Sequence, residues 1–258
     1  MTNLSINLNK IALLRNSRGR DYPNVVAYAN KFIDLGVQGI TIHPRQDQRH
    51  ARRSDAFDLA KFLADFNQVE FNIEGYPADD FLELIEQTRP DQCTLVPDDV
   101  NQLTSDHGWD VAESQEILRP SLERLKIAGV RSSLFLDPNL KQIKAAAAAG
   151  CDCIELYTEQ FAHTYNLAYN PAFNQHHDRT AHQENAAAVF ENYKAAAAYA
   201  QSLGLGVNAG HDLDLNNLGR FLEIDGILEV SIGHALTIEC LDSGMQQVVA
   251  QYLRICSK

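Results

Sequence analysis

The chain has 258 residues, of which 45% are hydrophobic and 22% are charged, a composition typical of a folded globular protein. A formal net charge of −12 argues against a general nucleic-acid-binding protein, which needs a broad cationic face, so we expect any basic cluster to bind a small anion. The sequence shows no signal-peptide pattern and no apolar run long enough for a membrane span, and its five cysteines form no C-x-x-C motif. We therefore expect a cytoplasmic protein with reduced thiols and no membrane partner.

In chain order, eight apolar segments are predicted as strands, and each is followed by a segment whose apolar residues have helical spacing. Four strands come shortly after a glycine at a predicted helix C-cap, where the left-handed conformation favours glycine: Gly36, Gly129, Gly150 and Gly204. Eight such units predict an α/β fold, a single (β/α)8 TIM barrel over residues 1–258. A doubly wound open sheet is the alternative, but we find no Gly-rich dinucleotide loop. The predicted strands are LSINL (4–8), VEFNIE (69–74), CTLVP (93–97), ILEVSI (227–232) and the apolar ends of segments 35–43, 128–136, 149–157 and 203–210.

Two connections are predicted as long loops, residues 98–110 after the fourth strand and residues 159–182 after the sixth. Both would lie at the carboxyl-terminal face of the barrel, where loops commonly carry function or act as lids. The second contains the histidine-rich stretch 174–182, which raises the question of a metal site. Because this stretch is polar and lacks an H-x-x-x-H register, we predict no metal there.

Polar residues collect where the predicted strands end, and this face carries the active site in barrel enzymes. The first strand and the segment after it contain a cluster of three cations, Lys10, Arg15 and Arg18, which we interpret as one wall of a phosphate pocket. The polar residues at or just after the strand ends are Asn7, Asn9 and Lys10 (first strand), His43, Arg45 and His50 (second), Glu74 (third), Thr104 (fourth), Asn208 and His211 (seventh) and His234 (eighth).

The dipeptide Gly-His occurs twice where a strand passes into a predicted helix, in AGHDL (209–213) and IGHAL (232–236). Backbone N–H groups at such a helix start can bind an anion, and the loops after strands seven and eight are the usual phosphate site of this fold. Burial in the barrel mouth is expected to raise the pKa of Glu74 so that it can act as a base, while His43 and His211 can exchange protons near neutral pH. For Glu155, inside the sixth strand, we expect a paired cation such as Lys10.

These motifs resemble the pyridoxine 5′-phosphate synthase family over essentially the whole chain. The matching stretches are NLNKIALLRNSRG, GITIHPRQDQRH, FNIE, TLVPD with QLTSDHGWDV, SLFLDP, IELYT, VNAGHDL and EVSIGHAL. The resemblance implies a (β/α)8 barrel that condenses 3-amino-2-oxopropyl phosphate with 1-deoxy-D-xylulose 5-phosphate, releasing phosphate and water. It implies no metal or organic cofactor, two small phosphorylated substrates as partners, no nucleic acid, and a homo-octamer.

The resemblance also implies roles for individual residues. The implied proton acceptors are His43 and Glu74, and the implied proton donor is His211. Contacts to the aminoketone phosphate are implied for Asn7 and for the backbone at Asp212, Gly233 and His234; contacts to the deoxyxylulose phosphate are implied for Arg18, Arg45, His50 and Thr104. The best-known branch of the family has Asp-His where this chain has Asn9-Lys10, which we also expect to bind substrate, and it has glycines where this chain has Asp212 and Glu159.

The residues leave two other functions open. A different sugar-phosphate barrel enzyme is one, either an epimerase or an aldolase that would use Lys10 to form a Schiff base. A non-catalytic barrel that binds a sugar phosphate is the other. The presence of both Glu74 and His211 argues against the second alternative, since binding alone needs neither a base nor an acid.

Overall fold

A computed structural model describes residues 1–98, 105–170 and 179–257. Its eight strands are all parallel, each pairs with the next along the chain, and β8 pairs back with β1 to close a barrel. The predicted (β/α)8 barrel is therefore confirmed, and the open sheet is wrong. The strands are β1 (Asn3–Asn7), β2 (Gly39–Ile42), β3 (Glu70–Gly75), β4 (Gln92–Leu95), β5 (Arg131–Leu136), β6 (Cys153–Tyr157), β7 (Gly206–Gly210) and β8 (Ile227–Ile232).

Helices alternate with these strands, and the predicted glycine positions mark their ends. Gly129 and Gly150 are the left-handed C-caps of the helices that end at Ala128 and Ala149, with φ of 74° and 87°; Gly36 and Gly204 also have positive φ, 97° and 83°. The described helices are α1 (Asn9–Asn16), α2 (Val25–Asp34), α3 (Arg53–Leu63), α4 (Asp79–Thr88), α5 (Gln115–Ala128), α6 (Leu140–Ala149), α7 (Glu159–Tyr169), α8 (Arg179–Ser202), α9 (Leu218–Phe221), α10 (His234–Ser243) and α11 (Met245–Cys256). No helix in these ranges is both long and apolar enough to cross a membrane.

Side chains alternate along each strand between the helix layer and the barrel lumen. Apolar residues such as Leu4, Ile6 and Ile40 are fully buried and belong to the main hydrophobic core. The lumen side is polar instead. The Asn208 amide of β7 donates to Gln92 Oε1 of β4, which is not its neighbour in the barrel, at 3.0 Å, so this contact crosses the lumen.

The polar lumen differs from the usual barrel interior, which is filled by layers of branched apolar side chains. Arg131 of β5 donates to Gln92 Oε1 at 3.0 Å and pairs with Glu70 of β3. Higher in the lumen, Thr94 donates to Asn72 Oδ1 at 3.1 Å. Polar groups thus extend from the amino-terminal end of the barrel to its carboxyl-terminal mouth.

Two elements differ from the sequence-based prediction. Lys10 is not at a strand end, because β1 stops at Asn7 and α1 begins at Asn9. The stretch after the sixth strand is not a continuous loop, because residues 159–169 form α7, whose buried residues Phe161, Ala162 and Ala168 have helical spacing. Residues 171–178 lie outside the described part of the chain, as do residues 99–104 of the other predicted loop.

Candidate active site

A cavity of about 580 Å³ opens at the carboxyl-terminal ends of the strands. It brings together side chains from loops far apart in sequence, as the barrel predicts. A neighbouring cavity of about 640 Å³ shares His43 and Arg45 with it and contains the stacked rings of Tyr76 and Trp109. The polar residues that line the first cavity include Asn7, Asn9, Lys10, His43, Arg45, Arg49, His50, Glu74, Ser105, Glu155, His211, Asp212 and His234, together with Gly233.

Two asparagines connect the first three strands at the cavity floor. Asn7 Nδ2 donates to Glu74 Oε2 at 3.2 Å, and Asn7 Oδ1 accepts from the Asn9 backbone N–H at 3.0 Å. Asn9 Oδ1 in turn accepts from the His43 backbone N–H at 2.9 Å. This arrangement fixes the carboxylate of Glu74 and the backbone of His43 relative to β1.

One end of the cavity is the amino terminus of α10. Gly233 is the N-cap of this ten-residue helix, and Gly233, His234 and Ala235 line the cavity. A Cβ at Gly233 would lie 3.0 Å from Asn7 Cβ and 3.1 Å from Asn7 O, so glycine permits close packing of the helix start against β1. Free N–H groups and the helix dipole make such a terminus suitable for an anion.

A second part of the cavity, its cationic end, is formed by the loop after β2. Arg45, Arg49 and His50 come from the loop between β2 and α3, and Arg45 Nη1 lies 2.8 Å from Asp98 Oδ2. The Ser105 hydroxyl donates to the same carboxylate oxygen at 2.8 Å. Burial lowers the pKa of His50 to about 4, with smaller contributions from Arg45 and Lys10. His50 is therefore neutral at pH 7, and the cations that an incoming phosphate would meet are Arg45, paired with Asp98, and Arg49, paired with Asp47.

His43 and Glu74 line the same cavity, with His43 Nδ1 4.0 Å from Glu74 Oε2. Burial, and then the nearby His50 and Arg45, lower the pKa of His43 well below its ordinary value. Burial, and then the charge of Glu155, raise the pKa of Glu74 well above its ordinary value. Both shifts favour a neutral imidazole beside a protonated carboxyl, a pair that can exchange a proton with a bound substrate.

Glu155 lines the same cavity, and burial raises its pKa to about 7, although His211 and a hydrogen bond from Thr94 lower it. A Cβ at Gly210 would overlap Glu155 Oε1, so the glycine leaves room for this carboxyl. The expected pairing of Glu155 with Lys10 is wrong. Lys10 instead adds a small contribution to the lowered pKa of His50, which is due mainly to burial, and to that of Asp212, which is due mainly to the hydrogen bond with His211.

His211 follows β7 in a strained backbone conformation. His211 has φ of 86° and Asp212 has φ of 59°, a region that side chains other than glycine seldom occupy. The Thr158 hydroxyl donates to the Gly210 carbonyl at 2.7 Å and also contacts the His211 carbonyl. Asp212 Oδ2 lies 2.9 Å from His211 Nδ1, and this hydrogen bond lowers the pKa of Asp212. The carboxylate of Asp212 is therefore hydrogen-bonded to the imidazole of His211.

The sequence matches the family described as "Pyridoxal phosphate biosynthesis protein PdxJ" over residues 4–258. The chain belongs to this family. It is 47% identical over 253 residues to a pyridoxine 5′-phosphate synthase of Porphyromonas gingivalis, covering 98% of each chain, and 45% identical over 259 residues to one of Cytophaga hutchinsonii, covering 100% of each. It also resembles one chain of the tryptophan synthase complex of Pyrococcus furiosus with a TM-score of 0.59, 11% identity and coverage of 98% and 97%, which shows the barrel fold alone.

Of the predicted site residues that the structure describes, all but Arg18 line the cavity. Arg18 follows α1, is exposed, and is not among the described residues that line the cavity. Thr104 lies outside the described residues, as does most of the histidine-rich stretch 174–182. Arg15, the middle cation of the first cluster, is also not at the cavity: it is 2% exposed and pairs with Asp55.

Sequence reasoning also missed residues that the structure places at the cavity. Arg49 lines the cavity and lies in the motif GITIHPRQDQRH. Its position directly before His50, a predicted site residue, could have identified it from the sequence. Asp98 directly follows a predicted strand, in TLVPD, and a buried carboxylate at that place needs a cation, which Arg45 provides.

Proposed function

We propose that this protein is a pyridoxine 5′-phosphate synthase, which condenses 3-amino-2-oxopropyl phosphate with 1-deoxy-D-xylulose 5-phosphate and releases phosphate and water. One observation carries the proposal beyond family membership. A single cavity is lined both by the amino terminus of α10 and by two arginines from the loop after β2, with His43, Glu74 and His211 also lining it. This arrangement suits two phosphorylated substrates that react with each other through proton transfers.

The two ends of the cavity bind different substrates in this proposal. The aminoketone phosphate contacts Asn7 and the backbone at Asp212, Gly233 and His234, where the helix start favours an anion. The phosphate of the deoxyxylulose substrate binds at the cationic end, near Arg45 and His50. Arg49 lines the cavity and supplies a cation for this phosphate. The sequence alone predicts that Arg18 has this role. Asn9 holds the backbone of His43, and Lys10 adds positive charge beside Asp212 and His50.

The reaction begins when the amine of one substrate attacks the ketone of the other to form an imine with loss of water. His43, neutral because its pKa is lowered, accepts a proton from the reacting chain. Glu74 exchanges a proton with His43 or with the substrate and acts as a base once its own proton has left. His211 donates a proton to departing oxygen, one substrate phosphate leaves as inorganic phosphate, and ring closure produces the aromatic product.

The test uses Glu74→Gln, which keeps the size of the side chain and removes its acid–base chemistry. We expect its turnover to fall by about 10²–10⁴-fold, the usual contribution of a positioned acid or base, while phosphate affinity stays near the wild-type value. Glu83→Gln, at an exposed position of α4, is the matched control. Near-full activity of Glu74→Gln would contradict the assignment. We also expect borohydride to trap no lysine adduct, because the chemistry requires no Schiff base at Lys10.

We propose further that the protein is a cytoplasmic homo-oligomer, an octamer by family resemblance. Exposed apolar side chains support association: Leu13 is 44% exposed on α1, and Ile238 and Leu241 are 46% and 73% exposed on α10. The five free cysteines support a reducing compartment. Light scattering would give the mass of the assembly, and a monomer at micromolar concentration would contradict this proposal.

A further inference from the structure

The carboxyl-terminal end of α1 holds the loop that carries the cationic end of the cavity. This loop, residues 43–52, connects β2 to α3 and includes Arg45, Arg49 and His50. Residues 15 and 16, at the end of α1, contact the backbone of the loop rather than the cavity. The contacts are specific enough to define what each of the two side chains does.

Asn16 binds three consecutive carbonyl groups of the loop. Its Nδ2 donates to the carbonyl oxygens of Gln48 at 3.3 Å, Arg49 at 3.1 Å and His50 at 2.8 Å. Gln48 has φ of 51°, and this left-handed residue belongs to the turn in which the three carbonyls converge. The amide therefore fixes the backbone at the two positions whose side chains, Arg49 and His50, line the cavity.

Arg15 determines which way the Asn16 amide faces. Its Nε and Nη2 donate to Asn16 Oδ1 at 3.2 Å and 3.1 Å, so the oxygen is occupied and the NH₂ group is directed at the loop. Nη2 also donates to the His50 carbonyl at 3.3 Å. Arg15 is in turn held by Asp55, whose Oδ2 accepts from Nη2 at 2.9 Å and from the Arg52 backbone N–H at 2.7 Å.

We propose that Arg15 and Asn16 are positioning residues, which set the geometry of Arg49 and His50 for the phosphate of the deoxyxylulose substrate. The inference rests on the proposed function for the identity of that substrate. Helix α1 then serves both parts of the cavity: its first turn places Asn9 and Lys10 at the cavity wall, and its last turn places the cationic loop. The effect falls on affinity for one substrate and not on the chemical step, because neither side chain touches the reacting groups.

The variant that tests this is Asn16→Asp, which keeps the shape of the side chain but replaces the donor with an acceptor facing three carbonyls. We expect the KM for deoxyxylulose phosphate to rise by about tenfold, with kcat and the KM for the aminoketone phosphate near wild type, since donor loss of this kind weakens one site. Asn30→Asp is the matched control, because Asn30 lies on α2 and donates to Asp34 at 3.0 Å. Arg15→Lys retains the charge opposite Asp55 but loses the fork that orients Asn16, and should change the same KM in the same direction.

Binding of inorganic phosphate, measured by calorimetry, separates this inference from the proposed function, because it needs no turnover. A weaker phosphate isotherm for Asn16→Asp than for Asn30→Asp supports the positioning role even if neither substrate reacts. Superimposable isotherms would overturn it. The positioning role would also be overturned if Asn16→Asp changed both KM values and kcat equally and lowered the unfolding midpoint. Such a result would show that the contacts only stabilise the fold.

Discussion

Replacing Glu229 with Gln should stabilise the protein, and increasingly so as pH rises. Glu229 lies in the lumen on β8 and is 4% exposed. Burial, and then the charges of Glu155 and Glu70, raise its pKa from an ordinary value of 4.5 to about 8, although Arg131 opposes them. Glutamine has nearly the same size and no proton to release, so it removes the titration with little change in packing.

The magnitude follows from the two pKa values of Glu229. Between 4.5 and about 8 the folded protein keeps a proton that the unfolded chain has released, so rising pH favours unfolding. Each pH unit in this window costs about 1.4 kcal/mol of stability, or about 3 kcal/mol between pH 5 and pH 7. This group's stabilising contribution is complete below the unfolded pKa and is lost as pH rises toward the folded one. The Glu229→Gln variant should not show this loss.

The assay is the free energy of unfolding in urea at several pH values from 5 to 7, at one protein concentration. The difference between Glu229→Gln and the wild type should grow with pH by about 3 kcal/mol over this range. Glu123→Gln, at an exposed position of α5, should show no such trend. A stability difference between Glu229→Gln and wild type that is independent of pH would refute the reasoning, because it would mean that burial does not hold the proton on Glu229.

Three further predictions concern the site. Thr158→Val should lower kcat with little change in KM, because His211 loses the hydroxyl that holds its backbone, and Thr158→Ser should restore activity. Gly233→Ala should raise the KM for the aminoketone phosphate, since its Cβ would crowd the end of β1, whereas Gly219→Ala, with open space around it, should not. Phosphate binding at pH 5 should take up protons, because the anion raises the pKa of His50 from about 4. Calorimetry in two buffers of different ionisation enthalpy would measure that uptake. The His50→Asn variant should take up fewer protons.

The barrel could be predicted because its signals are local. Apolar runs indicate buried strands, and glycines such as Gly129 and Gly150 indicate helix ends. Each signal depends only on the backbone conformation at its own position. The contacts of Arg15 could not be predicted from local signals. Its partner Asp55 is forty residues away in sequence, and only the packing of α1 against the loop after β2 shows that the arginine holds that loop and does not face the cavity.

The same reasoning applies to Glu155 and Arg18. A strand glutamate clearly needs a partner, but its register against neighbouring strands decides which groups face it, and the sequence does not contain that register. The structure places Glu155 opposite Phe135 and Asn208 in the sheet and near Thr94 and His211. The charge of Arg18 and the family resemblance both predict that it lies at the cavity, whereas its position just beyond the end of α1 leaves it exposed.

The most direct test of the central claim is a single reaction followed by mass spectrometry. The purified protein is mixed with 1-deoxy-D-xylulose 5-phosphate and with 3-amino-2-oxopropyl phosphate that carries an isotopically labelled nitrogen. The account predicts pyridoxine 5′-phosphate with the label in its ring, together with one inorganic phosphate per product, and neither when one substrate is omitted. Binding of both substrates without formation of the labelled ring would contradict it.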